Sequence, residues 1–322
     1  MINHILVPLD GSALAECVLP HVMAIAPVTN ARVTLLHVLQ HAHNGNGSPA
    51  VDPVEWHLQK QKSEKYLEQM VNRLRDTGIL GVESLILEGN PANSVIDFAQ
   101  NNNVDLIALS THGNSGLSGW NVSSVVQKIL LRSYKSILLV RAYLPSAAET
   151  TKIRYKRLFV GMDCSPRSEF VLPFAISLAQ YHKSQVILEC AIEKPQAINR
   201  FPLSDEDTEL IKKFVERNYQ AATRYFKQLV TQFSTKEIKL KTHISTGDNA
   251  IALLHDMAEE SNADLMMLAA HGYSGERRWP YGSVTTSFIA YGNTSLMIMQ
   301  DLPASEIHQT RAEMAVKEGK GH

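Results

Sequence analysis

The sequence predicts an α/β protein of two tandem, doubly wound, Rossmann-like domains, each with a five-stranded parallel sheet. Two observations predict this fold. Short apolar runs alternate with amphipathic helical patterns along the chain, and the order of these segments in the first half returns in the second. Strands that are apolar on both faces are typical of parallel sheets that lie between two layers of helices and are joined by right-handed crossovers.

Five short apolar runs in the first half are the expected strands. In chain order they read ILVPL, VTLLHV, ESLIL, DLIALS and SILLV. Helical patterns lie between them, and one such pattern has the spacing of a single helix face, at Leu67, Met70, Val71 and Leu74. We therefore expect five strands and four helices per half. Open sheets of this kind bind ligands beyond the carboxyl ends of their strands, at a topological switch point.

The second half repeats landmark residues of the first, and not only its hydrophobic pattern. HILVPLDGS returns as RLFVGMDCS 153 positions later, and VDLIALSTHG returns as ADLMMLAAHG 159 positions later. A general α/β pattern does not account for the matching Asp and His-Gly. We expect a first domain over residues 1–143, a linker over 144–153, a second domain over 154–301 and a polar tail over 302–322.

The composition favours a protein of the cytoplasm. The 322 residues suit two domains of about 100–200 residues each. A net charge of −1 produces no overall field that attracts nucleic acid or an anionic membrane. No apolar run approaches the roughly 20 residues that span a bilayer, and the N-terminal segment reads as a strand and not as a signal peptide. We expect neither nucleic-acid nor membrane partners.

The three cysteines, Cys17, Cys164 and Cys190, do not indicate a disulfide framework. Cys164 directly follows Asp163 and is therefore a candidate for redox sensitivity. The second half has no other cysteine near Cys164 along the chain, so we expect no cysteine that could resolve an oxidised Cys164.

An aspartate follows the first expected strand of each half, at Asp10 and at Asp163. A carboxylate at this place can accept hydrogen bonds from a base or a sugar. Asp and Ser are also favoured N-cap residues, and Ser12 and Ser165 lie two positions further on. Two interpretations therefore remain for each turn, contact with a ligand and capping of the following helix.

A glycine-containing loop follows the fourth expected strand of each half and leads into a helical pattern. The backbone N–H groups and the positive dipole end at the start of a helix favour an anion such as a phosphate. Serine hydroxyls add further donors. An ordinary strand-to-helix turn is the alternative, and the repetition at one topological position weighs against it. The loop residues concerned are Gly113, Ser123 and Ser124 in the first half, and Gly272, Gly282 and Ser283 in the second.

These loops resemble the ATP-binding signature of the universal stress protein family, G-x-x-G, nine residues, then G-[S/T]. The segments VPLDGS and GNPANSVIDFA are also similar to that family, and the resemblance covers about residues 1–143 and 154–301. It implies an adenine nucleotide alpha hydrolase-like fold that binds ATP, ADP or AMP, with Mg²⁺ accompanying ATP. It implies no efficient catalysis, and at most slow hydrolysis of ATP.

The resemblance also implies a role for each matching position. Asp10 and Asp163 would lie by the adenine, and Val38 and Ala191 would contact the base through their backbones. Ribose and phosphates would be held by the loop residues, which are Gly113, Ser123, Ser124, Gly272, Gly282 and Ser283.

Both halves depart from the family signature. The first glycine is Ser110 in one copy and Ala269 in the other, and the third is Ser123 in the first copy but Gly282 in the second. If the third position requires a positive φ, Ser123 costs about 1 kcal/mol or more. We therefore expect both halves to bind nucleotide and the second half to hold phosphates better.

Several other residues are candidates with two interpretations each. Arg277 and Arg278 in the second loop either contact phosphate or form a solvated pair. His41 and His43 either take part in a metal site or lie in a solvated loop. His112 and its counterpart His271 either orient a phosphate or pack against the protein.

Three classes of function remain open. The first is a nucleotide-binding module of a stress response. The second is a non-catalytic interaction or scaffold protein with vestigial pockets. The third, an ATP-using enzyme, is weakest, because the sequence lacks a P-loop motif and no acid–base or nucleophile constellation repeats with the fold.

The last strands of the halves, SILLV and SLMIM, are expected to pair within one chain as an intrachain pseudo-dimer, and two chains to associate further as a homodimer.

Overall fold

The computed structural model describes residues 2–40, 53–79, 81–113, 122–142, 153–195, 204–233, 238–273 and 280–302. The described residues form one ten-stranded sheet with apolar cores on both of its faces. The α/β class and the parallel strands expected within each half are confirmed.

The first half contains all five strands that the apolar runs predict, in the expected alternation with helices. Its elements are β1 (His4–Pro8), α1 (Ala13–Glu16), α2 (Leu19–Thr29), β2 (Arg32–Leu39), α3 (Pro53–Arg75), β3 (Val82–Glu88), α4 (Pro91–Asn101), β4 (Leu106–Ser110), α5 (Ser124–Ser133) and β5 (Ser136–Val140). The segment after β1 forms two helices where one was expected. Pro20 is tolerated only in the first turn of a helix, and it begins α2 separately from α1.

The second half repeats this order. Its elements are β6 (Arg157–Gly161), a 3-10 turn (Ser168–Val171), α6 (Leu172–His182), β7 (Gln185–Glu193), α7 (Asp205–Phe233), β8 (Lys239–Gly247), α8 (Ala250–Glu260), β9 (Leu265–Ala269), α9 (Ser283–Tyr291) and β10 (Leu296–Met299). The 3-10 turn takes the place of α1. Among the described residues, no helix combines the length and the apolar character that crossing a bilayer requires.

Equivalent residues end and begin equivalent helices in the two halves. Asn90 and Asn249 cap α4 and α8, and each side chain accepts hydrogen bonds from N–H groups of the first turn. Asn30 and Lys183 end α2 and α6 in the left-handed conformation, with φ of 54° and 58°. The internal repeat therefore extends to the local backbone geometry.

The ten strands follow the order β3-β2-β1-β4-β5-β10-β9-β6-β7-β8. Every neighbouring pair is parallel except β5 and β10, which run antiparallel with Ile137 opposite Ile298 and Leu139 opposite Leu296. The two final strands thus pair within one chain, as expected. This pairing covers the edge that each half would otherwise expose at β5 or β10.

Buried polar contacts join the two halves beside this strand pair. Arg141, 1% exposed, donates to the carbonyl oxygens of Phe288 at 2.5 Å and Ile289 at 3.1 Å, at the C-terminal end of α9. On the opposite face of the sheet, His21 Nδ1 lies 2.8 Å from the hydroxyl oxygen of Tyr155. Each half therefore contributes polar groups that are hydrogen-bonded to the other half.

Candidate functional site

The carboxyl ends of the central strands bring the repeated aspartate and the repeated loop glycine together in both halves. A Cβ atom at Gly113 would overlap the carboxylate of Asp10, and a Cβ atom at Gly272 would overlap that of Asp163. Glycine is needed at these two positions because the carboxylate occupies the space of a side chain. Two residues that are distant in sequence are thus direct neighbours at the end of the sheet where ligands bind.

Asp10 and Ser12 divide the two roles that the sequence leaves open for this turn. Ser12 is the N-cap of α1, since its hydroxyl oxygen accepts from the N–H of Ala15 at 3.1 Å. Asp10 accepts from the N–H of Ser12 at 3.0 Å and from its hydroxyl at 2.6 Å. Gly11 makes the turn possible with a φ of 83°. The serine therefore caps the helix, and the carboxylate of Asp10 lies at the strand end.

A cavity of about 590 Å³ lies beyond these strand ends in the first half. The volume falls within the range of about 300–1,000 Å³ that is usual for small-molecule sites. Four residues expected in the first site line this cavity, namely Asp10, Val38, Gly113 and Ser123. The fifth, Ser124, is exposed and is the first residue of α5.

The N-terminus of α5 points toward the cavity, because the N-cap Ser123 and the first-turn residue Val126 both line it. Ser123 has a φ of −67°, and Gly282 in the second half has a φ of −73°. The condition under which Ser123 would cost stability, a positive φ at this position, is therefore not met. Instead, Ser123 accepts from the N–H of Val126 at 3.4 Å, whereas Gly282 provides no side-chain cap. The serine does not weaken the first site through backbone strain.

A face of α3 completes the cavity, and sequence reasoning did not find it. Gln59, Lys62, Ser63 and Tyr66 line the cavity from this helix. Their spacing is that of a single helix face, and this face continues toward the buried Leu67 and Met70. The signal in the sequence was a helix face whose polar residues are followed, at the same helical spacing, by apolar ones. Lys62 adds a positive charge to the wall of the cavity.

The second half has the same arrangement of strand ends. Asp163 accepts from the N–H of Ser165 at 3.0 Å and from the N–H of Tyr273 at 2.5 Å. Desolvation opposes ionisation of Asp163, but the hydrogen bonds from Ser165 and Tyr273 outweigh it and hold its pKa below the usual value. Ala191 lies near the end of β7, as Val38 does in β2. Asp163 is thus ionised near neutral pH and serves as an acceptor.

The loop residues of the second half also match those of the first. The N–H of Gly282 donates to the carbonyl of Ala270 at 2.8 Å, as the N–H of Ser123 donates to Thr111 at 2.9 Å. Ser283 is exposed and begins α9, as Ser124 begins α5. The strand end and the helix start are therefore joined by equivalent hydrogen bonds in both halves.

The model of the universal stress protein family matches residues 1–141 and 154–300, which is most of the chain in two copies. The chain belongs to the universal stress protein family. The family model thus matches each half separately, in agreement with the repeated strand order of the fold.

Curated relatives in the family correspond to about half of this chain. Universal stress protein MJ0577 of Methanocaldococcus jannaschii is 28% identical over 156 residues, which are 44% of this chain and 96% of that protein. Universal stress protein YxiE of Bacillus subtilis is 27% identical over 150 residues, which are 44% of this chain and 100% of that protein. Each of these relatives is similar, over nearly its whole length, to a segment of this chain that is about one domain long.

Solved structures show the same fold over nearly the whole chain. A universal stress protein from Archaeoglobus fulgidus superposes with a TM-score of 0.64 at 17% identity, covering 94% of this chain and 100% of that one. A protein from Pseudomonas aeruginosa described as a putative universal stress protein gives 0.61 at 17% identity, covering 92% and 93%. The arrangement of the two halves is therefore shared with other members at the level of the fold.

The two halves of this family member differ in the charged groups around their strand ends. Glu189, fully buried in β7, replaces Leu36 and lies 2.9 Å from Nδ1 of His243. Asp301 accepts from Nε of Arg167 at 2.7 Å and lies 2.8 Å from Nδ1 of His271. Desolvation opposes ionisation of Asp301, but His271 and then Arg167 outweigh it and lower its pKa. The second half thus has a buried carboxylate, Glu189, where Leu36 lines the first cavity, and an ion pair between Arg167 and Asp301.

The two repeated histidines are both buried, and their contacts differ. His271 is positioned by Asp301, whereas Nδ1 of His112 lies 3.2 Å from the hydroxyl of Thr111 and the residue lines the cavity. Packing therefore describes His271, while His112 combines packing with a place at the cavity wall.

The expectation that Cys164 has no resolving cysteine nearby is wrong. Its sulfur lies 3.6 Å from that of Cys190. Cys164 follows β6 and Cys190 lies in β7, and these strands are neighbours in the sheet. The sequence order conceals this contact, because the intervening α6 separates the two residues along the chain.

Some sequence expectations lie outside the described residues. They concern His41, His43, Arg277, Arg278, most of the linker and the tail beyond residue 302. Within the described ranges, no group of three or more His, Cys, Asp or Glu residues could hold a metal ion.

Proposed function

We propose that this chain is a regulatory module that binds an adenine nucleotide, ATP, ADP or AMP, at the strand ends of the first half. The observation that carries the proposal is the cavity bounded by the Asp10–Gly113 pair, the N-terminus of α5 and Lys62. Family membership supports the same conclusion independently.

Each wall of the cavity suits one part of a nucleotide. The end of β2 at Val38 offers backbone groups and an apolar side chain to the base, and Asp10 accepts from a base amine or a ribose hydroxyl. The N-terminus of α5, with its positive dipole end and the hydroxyl of Ser124, suits phosphate oxygens. Lys62 supplies a cation for the phosphates. Mg²⁺ would arrive with ATP, held mainly by phosphate oxygens and water.

The same reasoning supports nucleotide binding by the second half, through Asp163, Ala191, Gly272, Gly282 and Ser283. The matching loop hydrogen bonds and the N-terminus of α9 support this assignment. Binding there would differ in strength, because Glu189 brings a buried carboxylate where Leu36 lines the first cavity.

We infer that occupancy, and not turnover, is the output of the site. Among the residues that line the cavity, Asp10 is bonded to its own turn through Ser12, and His112 contacts Thr111. Both hydroxyls also accept from backbone N–H groups, that of Ser12 from Ala15 and that of Thr111 from Ala142, so each is held within the protein's own backbone. Hydrolysis of ATP would therefore be slow.

The test combines nucleotide release with calorimetry on two matched variants. Freshly purified protein is extracted with acid to identify any adenine nucleotide, and stripped protein is titrated with ATP. Gly113→Val places a side chain where the Asp10 carboxylate lies and should remove binding by the first half alone. Gly272→Val makes the same change in the second half. Two sites that fall to one in each variant fit the proposal.

The proposal fails if stripped protein gives no heat with ATP up to the millimolar range and carries no nucleotide when purified. That result would favour a scaffold function, for which α7 is the candidate surface. Leu210 and Phe214 of this helix are 65% and 49% exposed, and such exposed apolar side chains are common at protein interfaces.

A further inference from the structure

Cys164 and Cys190 form the one pair of thiols in contact among the described residues. Their sulfur atoms are 3.6 Å apart, whereas Cys17 lies in the first half and contacts the hydroxyl of Ser110 at 3.4 Å. A disulfide requires about 2.05 Å between sulfur atoms and adjacent backbone segments. Neighbouring parallel strands bring the two cysteines together, so the bond forms once the sulfur atoms close the remaining separation.

The backbone at Cys164 is unusual for a residue with a side chain. Its φ is 60°, whereas the matching position in the first half is Gly11 with a φ of 83°. A residue other than glycine in this conformation is strained, and such strain often occurs at functional positions. Cys164 thus occupies a backbone position that the first half gives to glycine, and its sulfur lies in contact with that of Cys190. The first half has Gly11 and His37 at these positions and cannot form the pair.

The two thiols differ in the way that stepwise oxidation requires. The hydrogen bond with Cys190 lowers the pKa of Cys164, outweighing burial and the charge of Asp163. The same hydrogen bond, together with burial, raises the pKa of Cys190. Cys164 is also the more accessible residue, since Cys190 is only 5% exposed. Cys164 is thus suited to react first and Cys190 to resolve the product.

We propose that Cys164 and Cys190 are a redox site that closes to a reversible disulfide when the protein meets a peroxide. The Cys164 thiol gives its proton to solvent, and the thiolate attacks one peroxide oxygen. The O–O bond breaks, a sulfenic acid forms, and the hydroxide or alkoxide that leaves takes up a proton from solvent to become water or an alcohol. The Cys190 thiol then attacks the Cys164 sulfur, an S–S bond forms, and the sulfenic hydroxyl leaves as water with the thiol proton. Two electrons pass from the sulfurs to the peroxide, and a small dithiol reverses the reaction.

The disulfide would also act on the second nucleotide site, an effect that rests on the proposed function. Cys164 is adjacent to Asp163, and Cys190 is adjacent to Ala191. The corresponding residues of the first half, Gly11 and His37, border its cavity. Closing the sulfur pair draws Asp163 and Ala191 toward each other and narrows the space for the base. Oxidation should therefore weaken nucleotide binding by the second half and leave the first half unchanged.

The first experiment measures the bond itself. Reduced full-length protein is treated with hydrogen peroxide, and free thiols, intact mass and tryptic peptides are recorded. The expected result is loss of two thiols and two hydrogen atoms, with one peptide linking Cys164 to Cys190, in wild type and in Cys17→Ser. Cys190→Ser should stop at a Cys164 sulfenic acid that dimedone labels. Cys164→Gly restores the residue of the first half and should keep its remaining thiols.

Three free thiols after peroxide treatment, or a disulfide that includes Cys17 or joins two chains, would overturn the proposal.

Nucleotide binding is measured separately by titrating Gly113→Val with ATP in both redox states, and a loss of affinity of about tenfold or more on oxidation is expected. Equal affinity in both states would refute the coupling. Absence of binding in both states would contradict the proposed function of the second half while the disulfide stands.

Discussion

Mild acid should weaken the contact between the two halves through His21. This residue lies in α2, and its Nδ1 is 2.8 Å from the hydroxyl oxygen of Tyr155 in the other half. Burial lowers the pKa of His21 from 6.5 to about 4. The folded protein therefore keeps His21 neutral at a pH where the unfolded chain binds a proton.

The sign and size of the effect follow from this difference in pKa. Between 6.5 and about 4 the unfolded state binds more protons than the folded state, so stability falls as the pH falls. The contribution of His21 is fully present above 6.5. At pH 5 about 2 kcal/mol of it is lost, and about 3 kcal/mol is lost near pH 4, since one pKa unit corresponds to about 1.4 kcal/mol.

Urea unfolding of wild type and His21→Leu across this pH range measures the effect. Losing the contact with Tyr155 lowers the stability of the variant by an amount that does not change with pH. His182, which also crosses between the halves and contacts Ala24, titrates in both proteins and cancels in the difference. The gap between the two proteins should therefore narrow by about 2 kcal/mol from neutral pH to pH 5. A gap that stays constant would refute the reasoning.

Three further predictions concern stability and are checked by urea unfolding. Arg141→Leu removes the buried side-chain donor to the Phe288 and Ile289 carbonyls at the end of α9 and should cost roughly 3 kcal/mol, and a loss under 1 kcal/mol would contradict this. Asp301→Asn should cost about 3 kcal/mol at neutral pH, because Arg167 loses its counter-ion. The pKa of Asp301 lies below its usual value, so its contribution is present above the unfolded pKa and disappears as the pH falls through the folded one, where wild type and variant should converge. Ser123→Ala removes the N-cap of α5 and should cost about 1 kcal/mol, whereas Ser124→Ala, its exposed neighbour, should cost less than half of that.

Local patterns of the sequence determined most of the fold. The apolar runs corresponded to the strands of the first half, and the helix face of Leu67 and Leu74 is buried in α3. The repeat placed Asp10 and Gly113 at the strand ends, where they are in contact. These features depend on residues close in sequence and on the general rules of parallel sheets, so a sequence is sufficient to find them.

Conformations that depend on the surroundings of a residue did not follow from its type. The sequence left open whether the signature position of Gly282 requires a positive φ, and Gly282 and Ser123 are both extended. Both serine and glycine adopt this conformation without strain, and the side chain of Ser123 also caps α5. Residue type alone does not fix φ, because glycine occupies both allowed and unusual regions.

The sequence by itself determined the two repeats, the alternation of strands and helices along the chain, and the recurrence of an aspartate and a loop glycine after equivalent strands. Only the tertiary structure decided that Cys164 meets Cys190, that α3 closes the first cavity with Lys62, and that Arg141 of one half caps α9 of the other. The physical reason is how far apart along the chain the interacting residues lie. Periodicity and capping act over a few residues, whereas these contacts join segments that are adjacent only because the strands are arranged side by side.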